Sequence, residues 1–538
     1  MFKHSLSYHE TRYFSSLMTD YLDNKENVRQ FYNRFPNLEN FEKQIEEKKQ
    51  NFSSHSASKR AILVENLQEQ YREIDISEAT SSNINLLKQE NTFTVTTGHQ
   101  LNLFTGPLYF LYKIISAINL ATELKSAYPD YNFVPVYWMA TEDHDFEEIN
   151  FFNLHGKKFH WSPPASEADD GPVGELPTNG LQNLLELFSA EIGNSQNAQQ
   201  LKKWFEQAYL EHTNLADATR SIANALFGRY GLVILDANRR SLKQLFAPYM
   251  KQELLEKQSY EHTLPKTAAL QEEGYPVQVN PREINLFYMV KGLRERIIEK
   301  DGKYFVHEKD ISWSREELLE LLENEPEKFS PNVIMRPLYE EVILPNLCYI
   351  GGGGELAYWL ELKDYFEKAD VTFPVLLLRN SVLIQTEKQD QKREKLGITL
   401  QELFLKRHEL INRKVRQISD IDIDFTPQKE HLVQQFQRLY ELAEKTEASF
   451  LGAVKAQEVK QLKGLEKLEK RLLRAQKRKL EDEVSRIAEL QEVLFPQGGL
   501  QERHDNFSEF YLEYGEELIP ILIRELQPLE LKFDILTI

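Results

Sequence analysis

Thr96-Thr97-Gly98-His99-Gln100-Leu101-Asn102-Leu103-Phe104-Thr105-Gly106-Pro107-Leu108-Tyr109, with the run that continues through Lys113, is the stretch whose reading decides the fold. It reads as the end of a strand, a glycine-containing turn and the start of a helix. A second apolar run, 133–140, leads directly into Thr141-Glu142-Asp143-His144-Asp145. Two strands that each end in small and polar residues place chemistry at their carboxyl ends. In an open α/β sheet, ligands bind there, where helix N-termini offer free N–H groups.

Outward from this stretch the same alternation recurs. A strand over 92–97 precedes a helix over 106–128, whose Leu108, Leu111, Ile115 and Ile118 form one stripe. Pro107 suits a first helical turn, where its missing N–H has no partner to lose. A helical pattern over 199–230 leads to the apolar run 232–236, with Ser241 as a helix cap. Residues 271–308 carry antiparallel patterns at 276–280 and 303–307. Strands are then expected at 332–335, 347–350 and 373–378, and helices at 337–344 and 355–369. The fold class is therefore α/β, a Rossmann-like, mainly parallel sheet with connecting insertions at about 155–230 and 265–330.

Four segments follow from this pattern. Residues 1–90 are polar and helical in pattern, 91–384 form the core with its insertions, 385–495 form a helical coiled coil, and 496–538 pack back on the core. In the third, glycine is sparse and apolar residues recur every three or four positions, as in Leu462, Leu465, Leu468 and Leu472. Helices over about 385–418 and 428–494 are predicted to run antiparallel, with Pro427 starting the second and Pro496-Gln497-Gly498-Gly499 ending it. At about 1.5 Å per residue the second would span on the order of 90 Å. Such a stripe needs cover, and a homodimer through the coiled coil is the expectation.

Composition bounds the function. The 538 residues have a hydrophobic fraction of 41%, and 65 Lys+Arg against 84 Asp+Glu give a net charge of −19. That balance disfavours a protein that coats nucleic acid. No apolar run approaches the roughly 20 residues of a membrane span, and no secretory signal is legible. The single cysteine, Cys348, excludes an intrachain disulfide and a cysteine-rich zinc site. A cytoplasmic protein without a membrane partner is expected.

Four constellations could carry chemistry. Gly106, Tyr109 and Lys113 lie at i, i+3 and i+7, so one helix face bears a glycine, a phenol and an ammonium, suited to a phosphate or carboxylate. Neither G-x-x-x-x-G-K-S/T nor G-x-G-x-x-G is present. Glu142-Asp143-His144-Asp145 places ionisable groups at a strand end, either as acid, base or ligand, or as a helix cap. Gly351-Gly352-Gly353-Gly354 before Glu355 allows close backbone approach to a ligand. Arg336, in Asn332-Val333-Ile334-Met335-Arg336-Pro337, could clamp an anion. Asn280-Pro281-Arg282 is a lesser candidate of the same kind. No protein-held metal site is expected.

Together these segments resemble the cysteine-adding enzymes of bacillithiol biosynthesis, the BshC family. The resemblance rests on Thr97-Gly98-His99-Gln100, Leu103 to Tyr109 with Lys113, Glu142-Asp143-His144-Asp145-Phe146, Ser330-Pro331-Asn332-Val333 with Arg336-Pro337, Gly351-Gly352 with Glu355-Leu356-Ala357-Tyr358-Trp359, and Leu500-Gln501-Glu502-Arg503. They occur in the family's order along nearly the whole chain. The chain departs from the family at His99, Glu340 and Glu361, where glutamine is usual, and at Gly353, where proline is usual.

The resemblance implies a core related to class I aminoacyl-tRNA synthetases and nucleotidyltransferases, with a dimerising coiled coil. It implies a ligase that joins L-cysteine to the amine of glucosaminyl-malate, the last step of the pathway. ATP, with Mg²⁺ carried by the nucleotide, would activate the carboxylate. Asp143, His144 and Lys113 are the expected catalytic residues. Thr97, Gly98, Gln100, Thr105, Gly106, Tyr109, Glu142, Asp145, Asn332, Arg336, Gly351, Gly352, Gly353 and Glu355 are expected to bind substrate or nucleotide. Two other classes stay open: a nucleotidyltransferase for another small molecule, and a non-catalytic coiled-coil scaffold.

Overall fold

A computed structural model describes residues 2–52, 56–163 and 171–538. Its centre is a five-stranded sheet of β1 (Thr92–His99), β2 (Asn132–Met139), β3 (Val233–Asp236), β4 (Asn346–Gly351) and β5 (Val375–Leu378). The spatial order is β3-β2-β1-β4-β5, and every neighbouring pair is parallel. The order reverses direction between β1 and β4. That switch point is where a doubly wound sheet opens a crevice at its carboxyl edge.

The strands are apolar because both faces are covered. Phe93, Val95, Cys348, Ile350, Val375 and Leu377 share one core with Phe41, Ile45 and Leu120. Val134, Val136, Tyr349, Leu376 and Leu378 belong to the larger core on the other side. The threonines of β1 are buried without loss of hydrogen bonds. Thr94 and Thr96 donate to Oδ1 of Asn346, and Thr97 donates to the carbonyl of Ile350. Helix α1 (Tyr109–Ala127) packs on β1 and β2.

Two insertions stand at the carboxyl edge. The first, between β2 and β3, holds the hairpin Phe151–Leu154/Lys157–His160 and the helices Leu181–Ile192, Gln196–Tyr209 and Leu215–Phe227. The second, between β3 and β4, begins with helix α2 (Arg240–Glu256). It contains an antiparallel sheet ordered Ser312–Trp313, Lys303–Val306, Leu293–Lys300, Leu286–Val290, Phe329–Pro331.

Several local expectations are corrected. Residues 332–335 are no core strand: Phe329–Pro331 pairs with the insertion sheet, and Asn332 then turns the chain into helix α3 (Arg336–Ile343) by accepting from the N–H groups of Ile334 and Met335. The pattern over 355–369 is two helices, Gly353–Trp359 and Lys363–Lys368. That over 199–230 is likewise broken, between Tyr209 and Leu215. Residues 276–280 form no strand. Pro107 lies before the helix, bridged to Asn506, and Ser241 donates to Asn66 rather than capping.

The coiled coil is corrected in its connectivity. In place of one helix over 428–494, the chain reverses between α4 (Thr426–Ala443) and α5 (Ala448–Lys479), which pack on each other as the hairpin. No glycine or proline marks this reversal, so the apolar period runs through it unbroken. Helix α5 has 32 residues, about 48 Å at about 1.5 Å per residue. The earlier stretch is broken at Gly397, which adopts positive φ between Glu387–Lys395 and Leu400–Leu403.

The chain ends meet. Phe533–Thr537 lies between Phe2–Leu6, antiparallel to it, and Ser381–Gln385, parallel to it. The first residues of the 1–90 segment are thus a strand. Phe2-Lys3-His4-Ser5-Leu6 lacks apolar alternation because it is an exposed edge, and its partner lies more than 500 residues away.

Candidate active site

A cavity of about 720 Å³ opens at the carboxyl edge of the central sheet. Every strand contributes at or just after its end: Gly98 and His99 from β1, Met139 from β2 with Ala140 after it, Ala237 after β3, Gly352 after β4 and Arg379 after β5. The insertion sheet closes the far side with Phe287, Arg294 and Arg296. Lys113, Arg282, Arg294, Arg296, Arg336, Arg379 and Arg503 line it, against the carboxylates Glu142, Asp143 and Glu355. A chain of net charge −19 therefore concentrates positive charge in this crevice. Such a concave, cationic wall focuses field on anionic ligands.

The β1–α1 loop is strained. Phe104, Thr105 and Gly106 follow one another with φ of 47°, 69° and 62°. The cost is met by contacts outside the loop. The N–H of Phe104 donates to the Tyr209 hydroxyl, and Nδ2 of Asn506 donates to the carbonyls of Phe104 and Gly106. The Phe104 ring sits among Phe152, Phe188, Phe205 and Phe507. A Cβ at Gly106 would come within 2.7 Å of Asn102, so only glycine fits. At Gly98 a Cβ would crowd the Tyr349 hydroxyl at 3.2 Å.

Lys113 is fixed from both sides. Its Nζ donates to the carbonyl of Gly98 at 2.7 Å and pairs with Glu355 at 2.5 Å. Burial lowers the Lys113 ammonium below its usual range, and Glu355 opposes that shift. Burial opposes ionisation of Glu355, but Lys113, the Gly352 N–H and the Tyr349 hydroxyl outweigh it and hold the carboxyl below the usual carboxylate range. The Gly352 N–H already donates to Glu355, so part of the glycine run is occupied by the chain itself.

Opposite lies the 142–145 cluster. Glu142 pairs with the buried Lys243 at 3.0 Å. Asp143 accepts from Gln100 Nε2 at 2.9 Å and from the N–H of His144 at 2.8 Å. Arg294 donates to Nδ1 of His144 at 2.8 Å and to Ser330 and Pro331, while its guanidinium lies 4.1 Å from the Phe287 ring centre. A guanidinium has no acceptor, so Nδ1 of His144 holds a lone pair and the neutral ring carries its proton on Nε2.

Arg336 donates to Glu340 and to the Tyr358 hydroxyl. Burial raises the Glu340 carboxyl to about 8, against the pull of Arg336, and its Oε1 has no hydrogen-bond partner. Arg379 pairs with Glu502 at 2.8 Å and lies over the Tyr109 ring, while its Nε is left without a partner. Burial, with Lys113 and Arg379 nearby, holds the His99 ring well below its usual range, and its Nε2 is also unpartnered.

The cavity thus gathers Gly98, Gln100, Tyr109, Lys113, Glu142, Asp143, Asn332, Arg336, Gly352, Gly353 and Glu355 from distant parts of the chain. Thr97 and Gly351 lie one layer beneath it in the sheet, and Thr105 and Gly106 turn into the loop's own packing. His144 is exposed at the rim, its ring against the wall residues Arg294 and Phe287, and Asp145 is exposed. Arg294, Arg296 and Arg379 escape sequence reading. The first two sit in an alternating strand, Leu293-Arg294-Glu295-Arg296, like any surface strand. Arg379 directly follows the apolar run of β5, the one signal that could have marked it.

The family models for "Bacillithiol biosynthesis BshC" match the chain throughout, the N-terminal Rossmann-like domain over residues 1–380 and the C-terminal coiled-coil domain over 382–538. The chain belongs to the BshC family. Relatives named "Putative cysteine ligase BshC" include that of Christiangramia forsetii, 64% identical over 99% of this chain and 98% of the relative. That of Flavobacterium johnsoniae is 60% identical over 99% of each, and that of Chlorobaculum tepidum 29% identical over 87% of each. BshC membership makes the protein a ligase of bacillithiol biosynthesis and accounts for the Rossmann-like body with its coiled coil. No helix among the described residues is long and apolar enough to cross a membrane, and no group of three or more His, Cys, Asp or Glu among them is placed to hold a metal ion.

Proposed function

We propose that this BshC-family ligase joins L-cysteine to the amine of glucosaminyl-malate, completing bacillithiol in the cytoplasm, with ATP activating the cysteine carboxylate. The observation that carries this reading is the excess of seven cations over three carboxylates at the ends of all five strands. A malate dicarboxylate and a nucleotide phosphate are the anionic parts of the substrates, and guanidinium groups match both geometries. ATP, when bound with Mg²⁺, supplies activation of an otherwise unreactive carboxylate. Arg336, Arg379 and the Lys113–Glu355 pair line the side next to the glycine run, where phosphates suit the open backbone. Arg282, Arg294 and Arg296 line the side of the insertion sheet, where malate fits.

Asp143 is the base that takes the proton from the attacking amine. Its two oxygens are oriented by Gln100 and the His144 N–H. His144, with Nδ1 taken by Arg294, offers an Nε2–H donor to a developing oxyanion or a ligand oxygen. The exposed apolar residues Val433, Leu439, Leu442, Leu451 and Leu468 of the hairpin fit a second copy of the chain, making a homodimer.

The test is mass spectrometry of purified protein with L-cysteine, glucosaminyl-malate, ATP and Mg²⁺, omitting one component at a time. Product only with all present, with AMP or ADP formed, supports the reading. Pyrophosphate exchange independent of cysteine would instead favour a nucleotidyltransferase for another substrate.

A further inference from the structure

A second cavity of about 500 Å³ adjoins the first, and the two share Gln100, Tyr109 and Arg503 as a wall. Its chemistry is the reverse. Beyond that wall it is lined by Asn102, Glu147, Glu148, Phe151, Asn153 and His504, with no Lys or Arg among them. Burial and neighbouring Arg503 push the His504 ring below its usual range, so it adds no charge. Asn102 is 6% exposed, and its Oδ1 is a buried acceptor without a partner. A buried acceptor left empty is unfavourable unless a ligand fills it. Gln100 ties the two cavities together: its Nε2 donates to Asp143 in the first and to Glu148 in the second, each at 2.9 Å.

Beyond the shared wall, where Arg503 stands, the free groups of this annex are acceptors and carboxylates. Their complement is a small cation with several N–H donors. We propose that the annex is the receptor for the α-ammonium group of the amino-acid substrate, held by Glu148 and Asn102 with Glu147 adding charge. The assignment rests on the ligase reading above and follows from its chemistry. Two amines are present in that reaction and only one attacks. Carboxylates favour the protonated form of an amine, and a protonated amine has no lone pair. The amine that must stay inert therefore belongs in the annex. The amine that attacks belongs in the cationic chamber, where neighbouring guanidinium groups favour loss of its proton to Asp143. An amino acid seated with its ammonium on Glu148 presents its carboxylate at the shared wall, beside Arg503.

The test is isothermal titration calorimetry on the full chain with L-cysteine, L-serine and 3-mercaptopropionate, which keeps thiol and carboxylate but lacks the ammonium. The wild-type protein should bind L-cysteine at least tenfold more tightly than 3-mercaptopropionate. Glu148→Gln should erase that difference by weakening L-cysteine alone, Asn102→Ala should do the same, and Glu148→Asp should restore part of it. Glu148 is exposed, so its substitution leaves folding intact even if Asn102→Ala does not. Equal binding of the two thiols by the wild type, unaltered cysteine binding by Glu148→Gln, or no binding of either amino acid each overturns the annex. Product formation alongside unaltered cysteine binding by Glu148→Gln would remove the annex and leave the ligase reading. Ammonium-dependent binding of both amino acids with no product would do the opposite.

Discussion

Arg294 donates to Nδ1 of His144 at 2.8 Å across the wall between the insertion sheet and the β2 edge. This one bond assigns roles to two neighbouring residues, because it leaves His144 a donor and Asp143 the acceptor that faces the cavity. Asp143→Asn should therefore lower kcat about 100-fold or more, the range of a lost general base. His144→Gln keeps an N–H donor and should cost about tenfold. Steady-state rates of bacillithiol formation at saturating substrates compare them. The reverse order of losses would return the base to His144.

The Lys113–Glu355 pair is buried on the lysine side, 4% exposed, and open to the cavity on the glutamate side, 27% exposed. Removing one partner strands the other charge. Lys113→Met should destabilise the protein by about 2–4 kcal/mol, read as a lower denaturant midpoint. Lys113→Met combined with Glu355→Gln should recover more than half of that loss, yet remain inactive. Recovery of activity in the double variant would show that the pair is only structural.

Arg282 and Arg296 line the cavity, and among the described residues their guanidinium groups make no hydrogen bond, which leaves them for a ligand. A hydrogen bond to a charged group contributes about 1.5–3 kcal/mol. Arg296→Ser and Arg282→Ser should each raise KM for glucosaminyl-malate about 10- to 100-fold with little change in kcat. The wild-type KM should climb with salt more steeply than that of either variant. An unchanged KM would move the malate site elsewhere.

Burial, with Glu509 nearby, raises the Asp505 carboxyl to about 8. The folded state then binds a proton that the unfolded chain releases near the ordinary aspartate value of about 4. From about pH 4 to 8 the native state holds more protons, so this group's contribution to stability falls as pH rises across that window. Asp505→Asn should flatten the slope, and chemical denaturation between pH 5 and 8 measures it.

The hairpin of α4 and α5 exposes Leu439 and Leu468. The double substitution Leu439→Lys with Leu468→Lys should convert a dimer into a monomer in sedimentation velocity, with the melting temperature of the Rossmann-like body changed little. A wild-type monomer at micromolar concentration would remove the dimer.

Local chemistry was legible where it is local. The strand–turn–helix at β1, the polar cluster after β2 and the glycine run after β4 were readable because buried parallel strands are continuous apolar runs and their ends are not. The reversal at 444–447 was hidden because both helices keep one apolar period and no glycine or proline interrupts it. The pairing of Phe2–Leu6 with Phe533–Thr537 was hidden because strand partners so far apart in sequence leave no local trace.

By itself the sequence determined that this chain builds an α/β body with a helical extension, and which strand ends carry polar groups. Periodicity and turn chemistry act over a few residues, and so do those conclusions. The tertiary structure alone decided that β1 and β4 are neighbours at the switch point, and that Arg294 and Arg296 share one cavity with Arg379 and Lys113. It also decided that Lys113 is bound to Glu355 rather than free. These depend on parallel pairing and on loops that close over hundreds of residues, and burial, charge pairing and accessibility exist only once the chain has closed.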